Sequence, residues 1–334
     1  MSEEIERVEL KVNVSPIWES IVALAGYTYE PIRHTFDQDD EWKSDTMPSE
    51  LEAAVAEIGR TNFWHALLML QDQIEASTVQ DFSNRLTELT EAELYDSVLP
   101  YKGRRWEGER IQAARSIEAR QNYSSYFQGH PFLESYFNAL EEYSVEQFKS
   151  FLIHTLTSWT AWVETKSEWT NGLAILQKEQ QSIELDPANP VKDIERITGV
   201  AYVPEPGVWT VKLIPHIAYR PWLLEKRSIE TKLFFYPVSD EYFQEQGVPS
   251  SELVRGHKAL GDSLRLQLLY QLKQGPMSLA DLSKLFQVSK TTLHHQLSTL
   301  KAAKFVAVNK GVYVLNQARL EGFSTKLQRF LEEK

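Results

Sequence analysis

The sequence predicts a mainly α-helical protein of the α+β class, with a long N-terminal helical part that carries a small antiparallel sheet and a C-terminal part of helices and one β-hairpin. Three observations predict it. Apolar residues recur at helical spacing through most of residues 17–180, whereas strict alternation and β-branched or aromatic runs are confined to a few short stretches. With 334 residues, 42% of them hydrophobic, the chain exceeds one small module and carries enough apolar side chains for two cores. Charge, finally, is divided unevenly along it. The formal net charge is −12, yet from Ser251 onward 13 Lys and Arg face 6 Asp and Glu, leaving 22 against 41 in the remainder. An acidic domain over residues 1–248 and a basic one over residues 249–334 follow.

After Met1-Ser2-Glu3-Glu4 the chain opens on alternation, with Val8, Leu10, Val12 and Val14 on one face and Glu9, Lys11 and Asn13 on the other. That is the pattern of a half-buried strand. Helical patterns follow over residues 17–25, 50–59, 63–74, 79–86, 91–99, 109–121, 131–141, 145–166 and 169–180, broken at Gly26, Pro48, Pro100 and Gly129-His130-Pro131. Beyond Pro187-Ala188-Asn189-Pro190 the texture turns to strands at 208–217 and 229–236. A sheet of three or more strands is expected, closed by residues 8–14 returning from the N-terminus. Residues 239–251, with Gly247 and Pro249, read as a connector in which 241–246 has the option of a helical turn. The apolar runs are too short for a signal peptide or a membrane span, so a cytoplasmic protein is expected. Cysteine is absent, which excludes disulfides and thiolate metal sites.

In the basic part, Asp262 caps a helical pattern that runs to Leu272 and stops at Gly275-Pro276. Ser278, with Asp281 three residues on, caps a second one carrying Leu279, Leu282, Leu285 and Phe286. After Gln287-Val288, Ser289 caps a third, in which Leu293, Leu297 and Leu300 form one apolar stripe. Two short helices at this spacing read as a helix-turn-helix, and the implied partner is double-stranded DNA. The face left free carries Lys290, Thr291, His294, His295, Ser298 and Lys301, with Thr292 at its border and Ser289 at its start. Short polar and cationic groups of this kind reach base edges and phosphates. Lys290, Thr291, Thr292, His294 and His295 are the candidate base readers, and Lys301 and Lys310 the candidate phosphate contacts. Gln296 flanks the stripe and is assigned to packing instead. Residues 305–308 and 312–315 flank Asn309-Lys310-Gly311 as two strands and a tight turn, which completes the order of a winged helix.

The segments 258–265, 278–282, 288–297 and 300–306 together resemble the arsenic-repressor-like (ArsR) family of winged-helix transcription regulators. The resemblance covers about the last 75 residues and implies a repressor that binds a pseudo-palindromic operator as a homodimer, with half-sites about one helical turn apart. In that arrangement the first and last helices of the module pair, and here Leu264, Leu268, Leu320, Phe323, Leu327 and Phe330 are available for it. The chain departs from the family at Lys304, where Gly is usual, and in the wing, where Lys310 stands in place of several arginines. Without cysteine, and without histidine in residues 316–334, metal sensing in the family's manner is not expected.

The acidic part shows no nucleophile elbow, phosphate loop, metal motif or paired carboxylates, so neither catalysis nor a cofactor is expected. His34, His65, His130, His154 and His216 are scattered without ligand spacing. The run 37–41 is a candidate cation loop for which a solvated loop is the plainer reading, and residues 101–106 form a small basic, aromatic patch read as a surface loop. All nine tryptophans lie before residue 251. Phe148, Phe151, Leu152, Thr155, Trp159 and Trp162 line one face of the helix at 145–166, a core stripe or the wall of a cavity. In the second case Phe151, His154, Thr155, Trp159 and Trp162 would hold a small organic effector. The competing reading of the whole chain is a small-molecule-binding or enzymatic N-terminal domain that uses the winged helix as a protein-interaction module. A purely oligomerising N-terminal domain is the third.

Overall fold

The computed structural model describes residues 8–37 and 47–332. The chain forms two compact units, one from residues 8–29 and 47–238, the other from residues 30–37 and 239–332. The boundary expected at 248 therefore falls inside the second unit. Residues 239–248 belong there because the turn at Asp240–Phe243 is tied to the following helix, whose Glu252 N–H donates to Asp240 Oδ2 at 2.7 Å.

The first unit begins with β1 (Glu9–Val12) and α1 (Pro16–Thr28). Ser15 Oγ accepts from the Trp18 N–H, and Pro16 occupies the first helical position, where its missing N–H costs nothing. Every residue from 17 to 26 is buried, so α1 is the central helix of this unit. The short α2 (Glu30–Arg33) belongs to the second unit. Then come α3 (Ser49–Thr61), α4 (Trp64–Ile74), α5 (Val79–Glu88), α6 (Glu91–Val98), α7 (Glu107–Arg115), α8 (Ile117–Ser124), α9 (Leu133–Glu142), α10 (Val145–Val163), α11 (Ser167–Ser182) and α12 (Pro190–Thr198). Reciprocal capping boxes start α6, at Thr90 and Glu93, and α10, at Ser144 and Gln147. Two differences from the sequence reading have local causes. The helix expected at 109–121 is divided because Ser116 is extended and its hydroxyl caps α8. The stretch after Pro190, expected to turn directly to strands, first makes α12, started by that proline and ended by Gly199 at φ 73°.

Strands β2 (Thr210–His216), β3 (Leu224–Arg227) and β4 (Thr231–Pro237) join β1 in the order β1-β2-β4-β3. The N-terminal strand does return to close the sheet, but the sheet is mixed rather than antiparallel. β1 runs parallel to β2 and β2 parallel to β4, and only β3 and β4 are antiparallel. Parallel neighbours require a long crossover, which the helices from α1 to α12 supply between β1 and β2. Being central, β2 is buried along nearly its whole length. Val211, Leu213, Phe234 and Tyr236 pack with Ile194 of α12 on one side of the sheet.

The buried charges of this unit are held by specific partners. Lys212 on β2 is ion-paired at 2.8 Å with Asp72 and at 2.5 Å with Glu75. Glu19 on α1 accepts the backbone N–H groups of Ile217 and Ala218 at 2.8–3.2 Å. Burial outweighs those two donors and pushes its carboxyl up to about 7. A carboxyl raised in the folded state stabilises fully below its unfolded value and loses that contribution as pH climbs through the folded value. Stability of the first unit should thus fall between about pH 4.5 and 7 by an amount that Glu19→Gln removes. Tryptophan-monitored unfolding of both proteins across that range measures the difference, and parallel curves would refute it.

The second unit continues with α13 (Ser251–Leu260), α14 (Ser263–Gln274), β5 (Met277–Ser278), α15 (Leu279–Phe286), α16 (Lys290–Ala302), β6 (Val306–Asn309), β7 (Val312–Leu315) and α17 (Gln317–Glu332). The expected hairpin is present, and β5 adds a third antiparallel strand in the order β5-β7-β6. Leu253, Leu268, Leu272, Leu282, Leu293, Leu297, Leu300, Phe305 and Phe323 form the core. Glu252 of α13 pairs with both Arg319 and Lys326 of α17. The two helices meet so closely at Gly256 that a Cβ there would lie 2.1 Å from the Phe323 ring. Gly256→Ala should therefore destabilise this unit by about 1–3 kcal/mol, the usual range for overpacking a filled core. Denaturant unfolding followed by circular dichroism tests this, and an unchanged midpoint would contradict it.

Candidate nucleic-acid interface

The hinge of the helix-turn-helix is built from local hydrogen bonds. Ser278 Oγ accepts the Asp281 N–H at 3.2 Å and starts α15. Gln287, at φ 55°, ends it in the left-handed region, and Ser283 Oγ donates to the Val288 carbonyl at 2.7 Å across the turn. Ser289 then caps α16 by accepting the Thr292 N–H at 3.1 Å. Within α16, Leu293, Leu297 and Leu300 are each 0% exposed, so the rotation of the helix about its axis is fixed. Arg265 of α14 adds a polar tie, donating to Gln296 Oε1 at 2.7 Å and to the carbonyls of Lys258 and Ala259 at the end of α13. Gln296 thus has the packing role expected of it.

The face turned outward carries Ser289, Lys290, Thr291, Thr292 and His295 in exposed positions, with His294 and Lys301 half-buried. Ser298 is not on it. It is 3% exposed and its hydroxyl donates to the His294 carbonyl at 2.7 Å, turned back onto its own helix. Thr299, not singled out in the sequence, is half-buried one position further round. Burial first, then the nearby charges of Lys301 and His295, lower the pKa of His294 below the ordinary imidazole value. That shift favours the uncharged imidazole of His294, a hydrogen-bonding group. Burial likewise lowers the Lys301 ammonium. In the wing, Lys310 and Gly311 both have positive φ, 48° and 82°, as a two-residue hairpin turn matching the strand twist requires, and Lys310 is exposed at the tip.

Helix α16 ends in a Schellman motif. The Phe305 N–H donates to the Leu300 carbonyl at 3.0 Å and the Lys304 N–H to the Lys301 carbonyl at 2.8 Å, with Lys304 at φ 59°. Lys304 thus takes the left-handed conformation in which glycine is usual.

Of the six side chains considered for pairing two copies, Leu268 and Phe323 are internal core residues, whereas Leu264, Leu320, Leu327 and Phe330 are only partly buried against that core. The effector candidates of the first unit lie on α10. Thr155 and Trp159 are fully buried, Trp162 nearly so, Phe151 is half-buried and His154 faces outward, 3.5 Å from Glu50. Trp159 donates to the Ser20 carbonyl at 2.9 Å and packs against Tyr27 and Trp162. Thr155, Trp159 and Trp162 are thus packed into the interior of this unit, while Phe151 and His154 lie nearer its surface. A cleft of about 410 Å³ opens elsewhere in the same unit, lined by Asp72, Tyr101, Arg110, Lys212, Arg227 and Glu230 among others. No sequence signal marked it, since its walls come from segments far apart in the chain.

Among the described residues no three His, Asp or Glu converge as a metal site, and no helix is long and apolar enough to cross a membrane. Residues 38–41 of the acidic run lie outside the described residues.

The second unit is a winged helix with an outward-facing second helix of the helix-turn-helix, the architecture of a DNA-binding module of transcription regulators. Residues 262–308 match the family model of the bacterial regulatory proteins of the arsR family, and this C-terminal segment is an ArsR-type regulatory domain. No curated protein and no solved structure matches the chain. Since the helix end of that domain carries Lys304, Lys304→Gly should stabilise the second unit by about 1 kcal/mol by relieving a left-handed non-glycine residue. A denaturation midpoint that stays put or falls would speak against the strain.

Proposed function

We propose that the protein is a transcriptional repressor that binds a pseudo-palindromic operator as a homodimer and is modulated through its first unit. One observation carries the reading: the segment that matches the regulatory family is the same one that presents Lys290, Thr291, Thr292, His294 and His295 outward from a buried leucine stripe. Half-buried Leu264, Leu320, Leu327 and Phe330, with Leu331 exposed at the end of α17, support pairing of two copies. The charged cleft of the first unit supports modulation by a small polar organic molecule. The first unit acts in this reading as a sensor without catalysis or cofactor, and the protein works in the cytoplasm.

The reading is tested with the full chain and DNA from upstream of its own gene. If about four cations per protomer of a dimer contact phosphate, log K falls against log salt with a slope of about −7. Replacing Lys290 and Thr291 together by alanine should weaken specific binding at least about tenfold, in line with the loss of direct base contacts. Failure of the protein to retard any such fragment at low salt would overturn the proposal.

A further inference from the structure

The second unit contains a piece of chain that sequence order assigns elsewhere. Residues 30–37 form a self-contained turn, in which Thr35 donates its N–H and its hydroxyl to the Ile32 carbonyl and Phe36 donates to that of Arg33. The turn packs on the outward face of α16. The His34 ring stacks on that of His295 with centroids 3.7 Å apart and planes 11° from parallel, and His34 Nε2 lies 3.4 Å from Thr299 Oγ1. Asp37 is ion-paired with Arg255 of α13, both side chains largely buried. A cleft of about 170 Å³ remains between the turn and the helices α13 and α16.

We propose that residues 30–37 are a built-in competitor for the DNA-reading face, a strap that must leave α16 before that helix enters the major groove. The inference rests on the proposed DNA binding and deepens it by naming what controls access. Size decides between a strap that blocks and one that extends the interface. The major groove is about 12 Å wide and an α-helix with its side chains is about 10–12 Å across, so the groove admits one helix. A further turn of chain stacked on His295 and beside Thr299 leaves α16 too thick to be seated. The strap also engages Arg255 through Asp37, which withholds that guanidinium from phosphate. Its near end is anchored, since it follows directly on α1, whose residues from 17 to 26 are buried in the first unit.

Two full-length variants test this against the upstream fragment, with folding checked by circular dichroism. Because the chain has no cysteine, H34C/H295C introduces one thiol pair, which oxidation or a short reductant-cleavable bis-methanethiosulfonate joins so that the strap is pinned to α16. The oxidised form should lose specific DNA binding, and reductant should restore it. Separately, H34A, which removes the stack, should tighten binding about 3- to 10-fold, equivalent to about 0.7–1.4 kcal/mol. An oxidised pair that binds as well as its reduced form, or an H34A protein that binds equally or more weakly than the wild type, overturns the strap while leaving the DNA-binding reading intact. If neither the wild type, H34A nor the reduced pair binds, the DNA-binding reading fails and the strap with it.

Discussion

The second unit depends on the burial of one stripe, Leu293, Leu297 and Leu300, in a core shared with α13, α14, β6 and α17. Removing a leucine side chain from water is worth about 1.5–3 kcal/mol, and three of them act together on α16. The core therefore decides how α16 is rotated. With 100° between successive residues, that rotation places Lys290, Thr291, Thr292 and His295 outward and commits Ser298 to the interior. The Arg265–Gln296 hydrogen bond and the Schellman end act on a helix already positioned by its apolar side. The exposed side chains of α16 are thus placed by the buried ones.

That arrangement leaves a face poor in free charge. Burial disfavours the charged forms of His294 and Lys301, and the wing carries Lys310 at its tip, so the hydrogen-bonding groups at the start of α16 are the more prominent part of this face. The acidic first unit carries most of the negative charge. At cellular ionic strength a charge beyond about 8 Å is largely screened, so the excess of acids in that unit does not by itself rule out a local cationic surface elsewhere in the chain.

What could be read from the sequence was encoded within a few residues. Caps at Asp262, Ser278 and Ser289 and the wing turn at Lys310-Gly311 are each a matter of one turn of chain, and the structure carries them as read. The strand at residues 8–14 was legible by its alternation, but its direction relative to β2 was not, because direction is set by where a crossover of some 200 residues ends. The aromatic stripe of α10 looks the same in sequence whether it walls a cavity or fills a core. Only the folded chain brings Ser20 and Tyr27 of α1 against Trp159. Ser298 shows the same limit at smaller scale: its position on the helical wheel borders the free face, and tertiary packing takes it inside.

Least legible was the assignment of residues 30–37 to the unit that follows them by 200 residues, and magnitudes say what such an arrangement does. An aromatic stack contributes about 0.5–1.5 kcal/mol beyond its area, and an ion pair such as Asp37–Arg255 adds only what its desolvation leaves over. A contact of that size biases an equilibrium by about one order of magnitude and does not lock it. DNA contacts of about 1–3 kcal/mol each suffice to displace it, so the strap sets a threshold for binding and not an absolute bar.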